Sequence, residues 1–351
     1  MGQVNRPFAA AVTSAVVLCL IGIGAAIAGP HQLQISRVAS AATPLPVGAF
    51  DPARKSPHLS STVFSPADAV SVPVPAPPIA AAAPPVGVAR EQLPLGKGMF
   101  IYEPERTEFG NIDVIIGRAR DVGLSHMWVR TGSTWDGFNT GAFLSALLPK
   151  AHAAGLRVYG WDFPSLADTK VDVARAMAAI NLRAPDGSKL DGFAADVETA
   201  SEGTQLSGPR AAEYGDRLRW AAGPSYPLIA VVPRPSPEQK GSYPYAQVVQ
   251  RFDAIAPMVY WLNRQPGPDV AGAIRDLRGF NKPIFPIGQA YDGAREGGRP
   301  GVPPRAELVA FMDVAARNGA QGVSFWVWQQ ANQETWSAIR DNLAFRMEKV
   351  L

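Results

Sequence analysis

The sequence predicts an α/β fold, a (β/α)8 (TIM) barrel preceded by an N-terminal transmembrane or signal helix and a Pro/Ala-rich linker. Three observations predict it. A charge-free apolar run lies near the start of the chain, prolines crowd the next segment, and from residue 96 short β-branched or aromatic runs alternate with amphipathic stretches. Strands that alternate with helices build a parallel sheet, and eight such units in about 250 residues is the size of one closed barrel. An open doubly wound sheet is the competing architecture, but no Gly-x-Gly-x-x-Gly follows the first strand to support a dinucleotide site.

Residues 8–28 read FAAAVTSAVVLCLIGIGAAIA, with Arg6 the only charged side chain before them. A bilayer core takes about 20 apolar residues in a helix, whereas a secretory signal has an apolar region of about 7–15 and then a small-residue cleavage site. Ala26-Ile27-Ala28 would serve as that site. Residues 1–30 are therefore read as a signal anchor or signal peptide, with the uncleaved anchor preferred on length. Either one exports the remainder, so the expected place is extracytoplasmic, as a single-pass membrane protein or a secreted one. Arg6 favours an N-terminus inside. Cys19, the sole cysteine, lies in the apolar run and reads as a small buried residue, leaving the exported part free of thiols.

Residues 31–95 hold twelve prolines in 65 positions, against 19 in the 256 positions that follow. A stretch such as VPVPAPPIAAAAPPVG has neither helical nor strand periodicity. It reads as a linker, reaching at most about 200 Å at about 3.1 Å per residue in polyproline form.

Residues 96–351 form the predicted barrel. The expected strands are 98–102, 126–130, 156–163, 192–198, 228–232, 254–261, 283–290 and 322–329. Between them lie amphipathic stretches such as IDVIIGRARDVG, VDVARAMAAINL and PPRAELVAFMDVAARNG, several of which end in glycine. Lys+Arg number 28 and Asp+Glu 27 in this region, so no basic face and no nucleic-acid partner are expected. His126 and His152 are its only histidines and make no spaced pair, so no metal is expected. His152 reads as a solvated helix residue and Trp220 as packing. No Gly-x-Ser-x-Gly or phosphate-loop pattern is present. No cofactor is implied.

In a barrel of this kind the working groups sit at the C-terminal ends of the strands. The fourth strand, LDGFAADVETA, is the most informative. Alternate strand residues share a side, so Asp196 and Glu198 point the same way, with backbones about 6.6–6.8 Å apart. Two carboxyls in one confined site push their pKa values apart, so that one stays protonated as an acid. That is what glycoside cleavage requires. The competing reading makes Asp196 a scaffold partner of Arg130 or another base. Trp128, Trp161, Trp261, Trp326 and Trp328 fall on strands or at their ends, where an aromatic face can stack on a sugar ring or simply pack the barrel. Substrate contacts are expected from Tyr260, Trp261, Trp161, Asp162, Arg130, Met258, Gln289, Trp326 and Trp328. Asp162, Glu103 or Asp292 could supply a more distant base.

These residues carry a resemblance. DGFAADVE resembles the fourth-strand signature of chitinase and endo-glucosaminidase barrels, Asp-Gly-x-Asp-x-Asp-x-Glu, with Asp191, Gly192, Asp196 and Glu198 on matching positions and Ala194 where an Asp is expected. The resemblance implies Glu198 as the general acid and Asp196 as the group that orients the substrate's acetamido nucleophile. Met258-Val259-Tyr260 is similar to the Met-x-Tyr of the same barrels. FWVWQ resembles both their sugar-platform Trp and the Trp-Gln ending of Asp-x-Glu lysozyme barrels, whose first-strand Asp has no counterpart here. IAPMVYW is similar to incompletely characterised glycoside-hydrolase barrels. The resemblance therefore implies a glycoside hydrolase-like barrel superfamily acting on a cell-envelope or extracellular polysaccharide. The alternative is a degenerate barrel that binds glycan as a scaffold at the cell surface, which Ala194 favours and the intact Asp196 and Glu198 oppose.

Overall fold

The computed structural model describes residues 88–346. The expected anchor at 1–30 and the linker up to residue 87 lie outside the described residues. Among the described residues no helix is long and apolar enough to cross a membrane.

In chain order the elements are β1 (Gly96–Ile101), α1 (Ile112–Asp121), β2 (His126–Ser133), β3 (Gly137–Phe138), α2 (Gly141–Ala153), β4 (Arg157–Phe163), α3 (Thr169–Ile180), β5 (Gly192–Asp196) and α4 (Gly208–Ala222). They continue as β6 (Leu228–Pro233), α5 (Pro237–Ser242), α6 (Tyr245–Val249), β7 (Ala254–Val259), α7 (Pro266–Leu277), β8 (Ile287–Gln289), α8 (Arg305–Arg317), β9 (Gly322–Trp326) and α9 (Gln333–Asp341). The sheet runs β1-β9-β8-β7-β6-β5-β4-β2-β3, and β1 also pairs with β2. Every pairing is parallel except β2 with β3, so the sheet closes as an eight-stranded parallel barrel with β3 as an antiparallel appendage. Closure through Phe100 beside Trp128 on one side of β1 and Met99 beside Phe325 on the other rules out the open sheet.

Strand alternation divides the core into two layers. Phe100, Trp128, Tyr159, Trp161, Ala194, Ile229 and Val231 fill the barrel. Met99, Met127, Val158, Phe193, Val232 and Phe325 face the helices. The helices start where short polar side chains accept their first free N–H groups: Asn111 for α1, Asp168 for α3, Ser207 for α4 and Asn332 for α9.

A polar clasp crosses the barrel floor. His126 Nε2 lies 2.9 Å from Ser324 Oγ, and Trp128 Nε1 donates to the same oxygen at 2.8 Å. The clasp joins β2 to β9 across β1, where Gly98 leaves the room: a Cβ there would lie 2.1 Å from the His126 ring. Burial pushes His126 down to about 3, so the ring is neutral.

Two expectations are corrected here. His152 is not simply solvated. Its Nε2 meets Asp191 Oδ2 at 2.9 Å, and this hydrogen bond raises its pKa. Asp191 also accepts from Val158 N at 2.7 Å, which makes it a staple at the start of β5. Trp220, read as packing, is 43% exposed on α4.

Candidate active site

β5 ends at Asp196, but Val197 N still bonds to Val231 O at 3.1 Å, so the strand's alternation persists one step further. Val197 faces the helices, while Ala194 fills the barrel. Asp196 and Glu198 share the Ala194 side and reach the C-terminal mouth of the barrel. Gly192, at the start of the strand, is demanded by Tyr159: a Cβ there would lie 2.9 Å from that ring.

The pair is electrostatically unusual. Asp196 Oδ1 is buried with no hydrogen-bond partner. Burial pushes Asp196 up to about 7, with Asp162 and then Glu202 pushing the same way. Glu198 is pushed well above the usual carboxylate range, first by burial, then by Asp196 and Glu202. The Thr199 N–H pulls it back, and Glu296 pushes it further up. Ala194 brings no polar atom to this side of the strand, so nothing from that position satisfies Asp196.

An aromatic wall stands inside the same mouth. Trp161 and Trp326 meet edge to face at 5.3 Å between centroids, with Phe100 and Tyr102 each within 6.2 Å of both. Arg130 lies 4.8 Å over the Tyr102 ring and pairs with Asp136 at 2.5 Å, not with Asp196. Met258 and Tyr260 are partly buried against the interior cluster. The Tyr260 ring stands edge-on to Tyr291 at 5.4 Å, and Tyr291 Oη donates to Glu296 Oε2 at 2.5 Å.

Three expected contact residues face away from the mouth, and a fourth, Gln289, faces in beside Trp326 but has its amide engaged. Asp162 follows inward-facing Trp161 and therefore points out of the barrel. It is fully buried against Arg175 Nε at 2.8 Å, and Arg175 also binds Asp172 at 3.0 Å. Burial pushes the Asp162 carboxyl up, to about 7, against the pull of Arg175. Trp261 follows inward Tyr260 in the same way; it packs on Phe311 at 5.6 Å and donates to Glu307 at 2.7 Å. Trp328 lies beyond the end of β9, in a 3-10 turn, and faces Trp336 and Glu108 on the outer layer. Gln289 is buried with both amide atoms engaged: Oε1 accepts from Leu262 N and Nε2 donates to Tyr291 O. Of the candidate distant bases, Asp162 is thus a scaffold group, Glu103 pairs with Arg106 at 2.9 Å, and Asp292 is exposed, accepting from Ala294 N.

The residues left out of the expected contact set are Glu202, Glu296, Tyr291, Tyr102 and Tyr243, whose hydroxyl donates to Val197 O at 2.6 Å. Glu202 and Glu296 sit in 3-10 turns after β5 and β8, where no strand period marks them. Tyr291 was legible as a strand-end residue. Among the described residues no group of three or more His, Cys, Asp and Glu side chains could hold a metal ion.

No protein-family model and no curated protein matches the chain. Solved structures do. A chitinase from Rhizomucor miehei superposes with a TM-score of 0.51 at 13% identity, over 70% of this chain and 99% of that one. A chitinase from Chromobacterium violaceum ATCC 12472 gives 0.50 at 12% identity, over 71% and 99% of the two chains. An endo-1,4-beta-mannanase, also from Rhizomucor miehei, gives 0.50 at 9% identity, over 66% and 86%. At these identities the likeness is one of fold: the closed eight-stranded parallel barrel of this chain is similar to the folds of these two chitinases and this mannanase.

Proposed function

We propose that the protein is a glycoside hydrolase that cleaves a polysaccharide by carboxylate acid/base catalysis. The observation that carries the reading is the paired placement of Asp196 and Glu198 on one side of the chain at the end of β5, at the mouth, in surroundings that push the Glu198 carboxyl well above the usual carboxylate range. A carboxyl that keeps its proton at neutral pH can give it to the departing glycosidic oxygen. Glu198 is that donor, and its carboxylate then takes a proton from the incoming water. Asp196 either orients a nucleophile belonging to the substrate or stabilises the positive charge that develops on the sugar. Trp326 and Tyr102, both partly buried, offer ring faces in front of the buried Trp161, and Tyr260 offers a hydroxyl beside the pair. This chemistry needs no cofactor. The similarity of fold to chitinases and a mannanase supports a glycan substrate. We extend the proposal to location: residues 8–28 export the barrel and tether it to the membrane, and the proline-rich segment spaces it from the surface, so that the substrate is a cell-envelope or extracellular glycan.

A second reading is a glycan-binding or scaffold module. Ala194 and the unpartnered Asp196 Oδ1 favour it, because the carboxylate relay is shortened. Glu198→Gln separates the two. The hydrolase reading expects loss of at least about 100-fold in glycan cleavage with glycan binding retained. Equal behaviour of parent and variant on a broad panel of wall and storage glycans would sink it.

A further inference from the structure

The turn between β2 and β3 holds an aromatic side chain outside the barrel. Trp135 is 66% exposed, and its indole stacks at 5.0 Å on Phe163, the last residue of β4. Phe163 shares the side of Trp161 by alternation, so it continues the aromatic wall toward the rim. Between β4 and β5, Trp161 lies beside Ala194 and Asp162 beside Ala195. The next step of that register sets Phe163 beside Asp196, one strand spacing of about 4.8 Å away. Trp135 also reaches the turn that follows Glu198: a Cβ on Gly203 would come 3.5 Å from its ring. The indole therefore stands at the rim between the ends of β4 and β5, with one face on Phe163 and the other open.

The turn is built to hold it there. Ser133 Oγ accepts from Trp135 N and Asp136 N, both at 3.2 Å, and donates to Asp136 Oδ2 at 2.9 Å. Asp136 also pairs with Arg130, which covers the Tyr102 ring of the wall. Thr134 Oγ1 donates to the buried Asp172 at 2.9 Å and accepts from Ser165 N at 2.9 Å. Both neighbours of Trp135 are thus tied down, one to β2 and the other to α3 and the segment after β4. A large apolar ring fixed in water marks a contact surface. A sugar ring meets such a surface with its C–H groups and turns its hydroxyls to polar neighbours. Those neighbours are present in the turn that leads to Gly203, where the Thr199 and Ser201 hydroxyls bond to each other at 2.7 Å.

We propose that the Trp135 indole is a second sugar platform, binding the unit of a glycan chain next to the one held at Asp196 and Glu198, so that the site takes chains in preference to single sugars. This rests on the glycan reading of the mouth and holds whether or not the chain is cleaved. The continuity of Trp135 with the inner wall, through Phe163, favours a glycan over a lipid surface or a second copy of the chain.

The test follows the tryptophan fluorescence of the full chain under acrylamide quenching, with dimers and hexamers derived from chitin, cellulose and mannan as probes. At least one hexamer is expected to shield the parent and to bind about tenfold tighter than its dimer, and Trp135→Ala removes most of that advantage. Trp135→Phe, which keeps a ring face, restores part of it. A hexamer that binds parent and Trp135→Ala equally overturns the platform, and the hydrolase reading survives if Glu198→Gln abolishes its cleavage. Hexamer binding that depends on Trp135 but is followed by no cleavage keeps the platform and removes the hydrolase. Shielding by phosphatidylglycerol vesicles or by self-association, with none from any hexamer, overturns the platform. Binding of no probe at all overturns both readings.

Discussion

Asp196 shows how one side chain links the site to the stability of the whole. In the folded protein it keeps its proton up to about pH 7, whereas the ordinary value is 3.8. Between those values the native state holds a proton that the unfolded chain has lost. The contribution is therefore fully present below about 4 and is lost as pH rises through about 7. Asp196→Asn, which cannot ionise, should match the parent at pH 4 and exceed it by on the order of 2 kcal/mol at pH 8. Urea unfolding at the two pH values checks this, and a difference independent of pH would remove the argument. The same variant withdraws the charge that pushes Glu198 upward, so the alkaline limb of any glycan hydrolysis should move to lower pH. Of this residue's setting the sequence showed the partner and the shared side, because alternation is local. It did not show Glu202 or Glu296, which reach the mouth from turns with no period of their own.

At the level of elements, α3 is fastened to β4 by Arg175, which lies between Asp162 and Asp172, all three side chains nearly fully buried. Removing one partner of such a group leaves charge without compensation. Arg175→Met should cost about 3–5 kcal/mol in urea unfolding. A loss below 1 kcal/mol would mean that this buried group does not hold α3 on β4. Asp162 is buried against Arg175 on the helix side of β4, yet it is the first charge that pushes Asp196 upward. Asp162→Asn should accordingly lower the pH at which Asp196 ionises, visible as a shift of the stability profile or of the pH–rate curve. The legibility of this layer was uneven for a simple reason. Trp161 and Asp162 are neighbours on β4, and Tyr260 and Trp261 follow directly on β7 and keep its alternation, so only one of each pair faces the barrel. Alternation carried that information, and strand-end position alone did not. Trp328 lay outside its reach, since β9 stops at Trp326 and parity is lost in the turn that follows. The β3 appendage was also missed, although Asp136-Gly137 is a hairpin signal.

For the whole molecule, the number of strand–helix units was readable because eight β-branched or aromatic runs recur with helical stretches between them, a long-range pattern that survives errors of up to four residues at an end. The third and seventh barrel strands show those errors: 156–163 was expected and Arg157–Phe163 found, 283–290 expected and only Ile287–Gln289 found. Composition placed the boundary before the barrel, and proteolysis tests it. Elastase should cut the full chain between residues 31 and 87 and leave a resistant fragment that starts near Val88; early cuts inside the barrel would contradict a single compact unit. The clasp of His126 and Ser324 has a consequence for synthesis. β1 needs β9 as a neighbour, and β9 is the last barrel strand to be made. Until residue 322 has emerged, the growing chain carries two open sheet edges, β1 and β8, each able to recruit the wrong strand. Completion of the barrel is therefore a terminal event in the life of the nascent polypeptide, and a message truncated shortly before β9 would yield an aggregating product, not a smaller barrel.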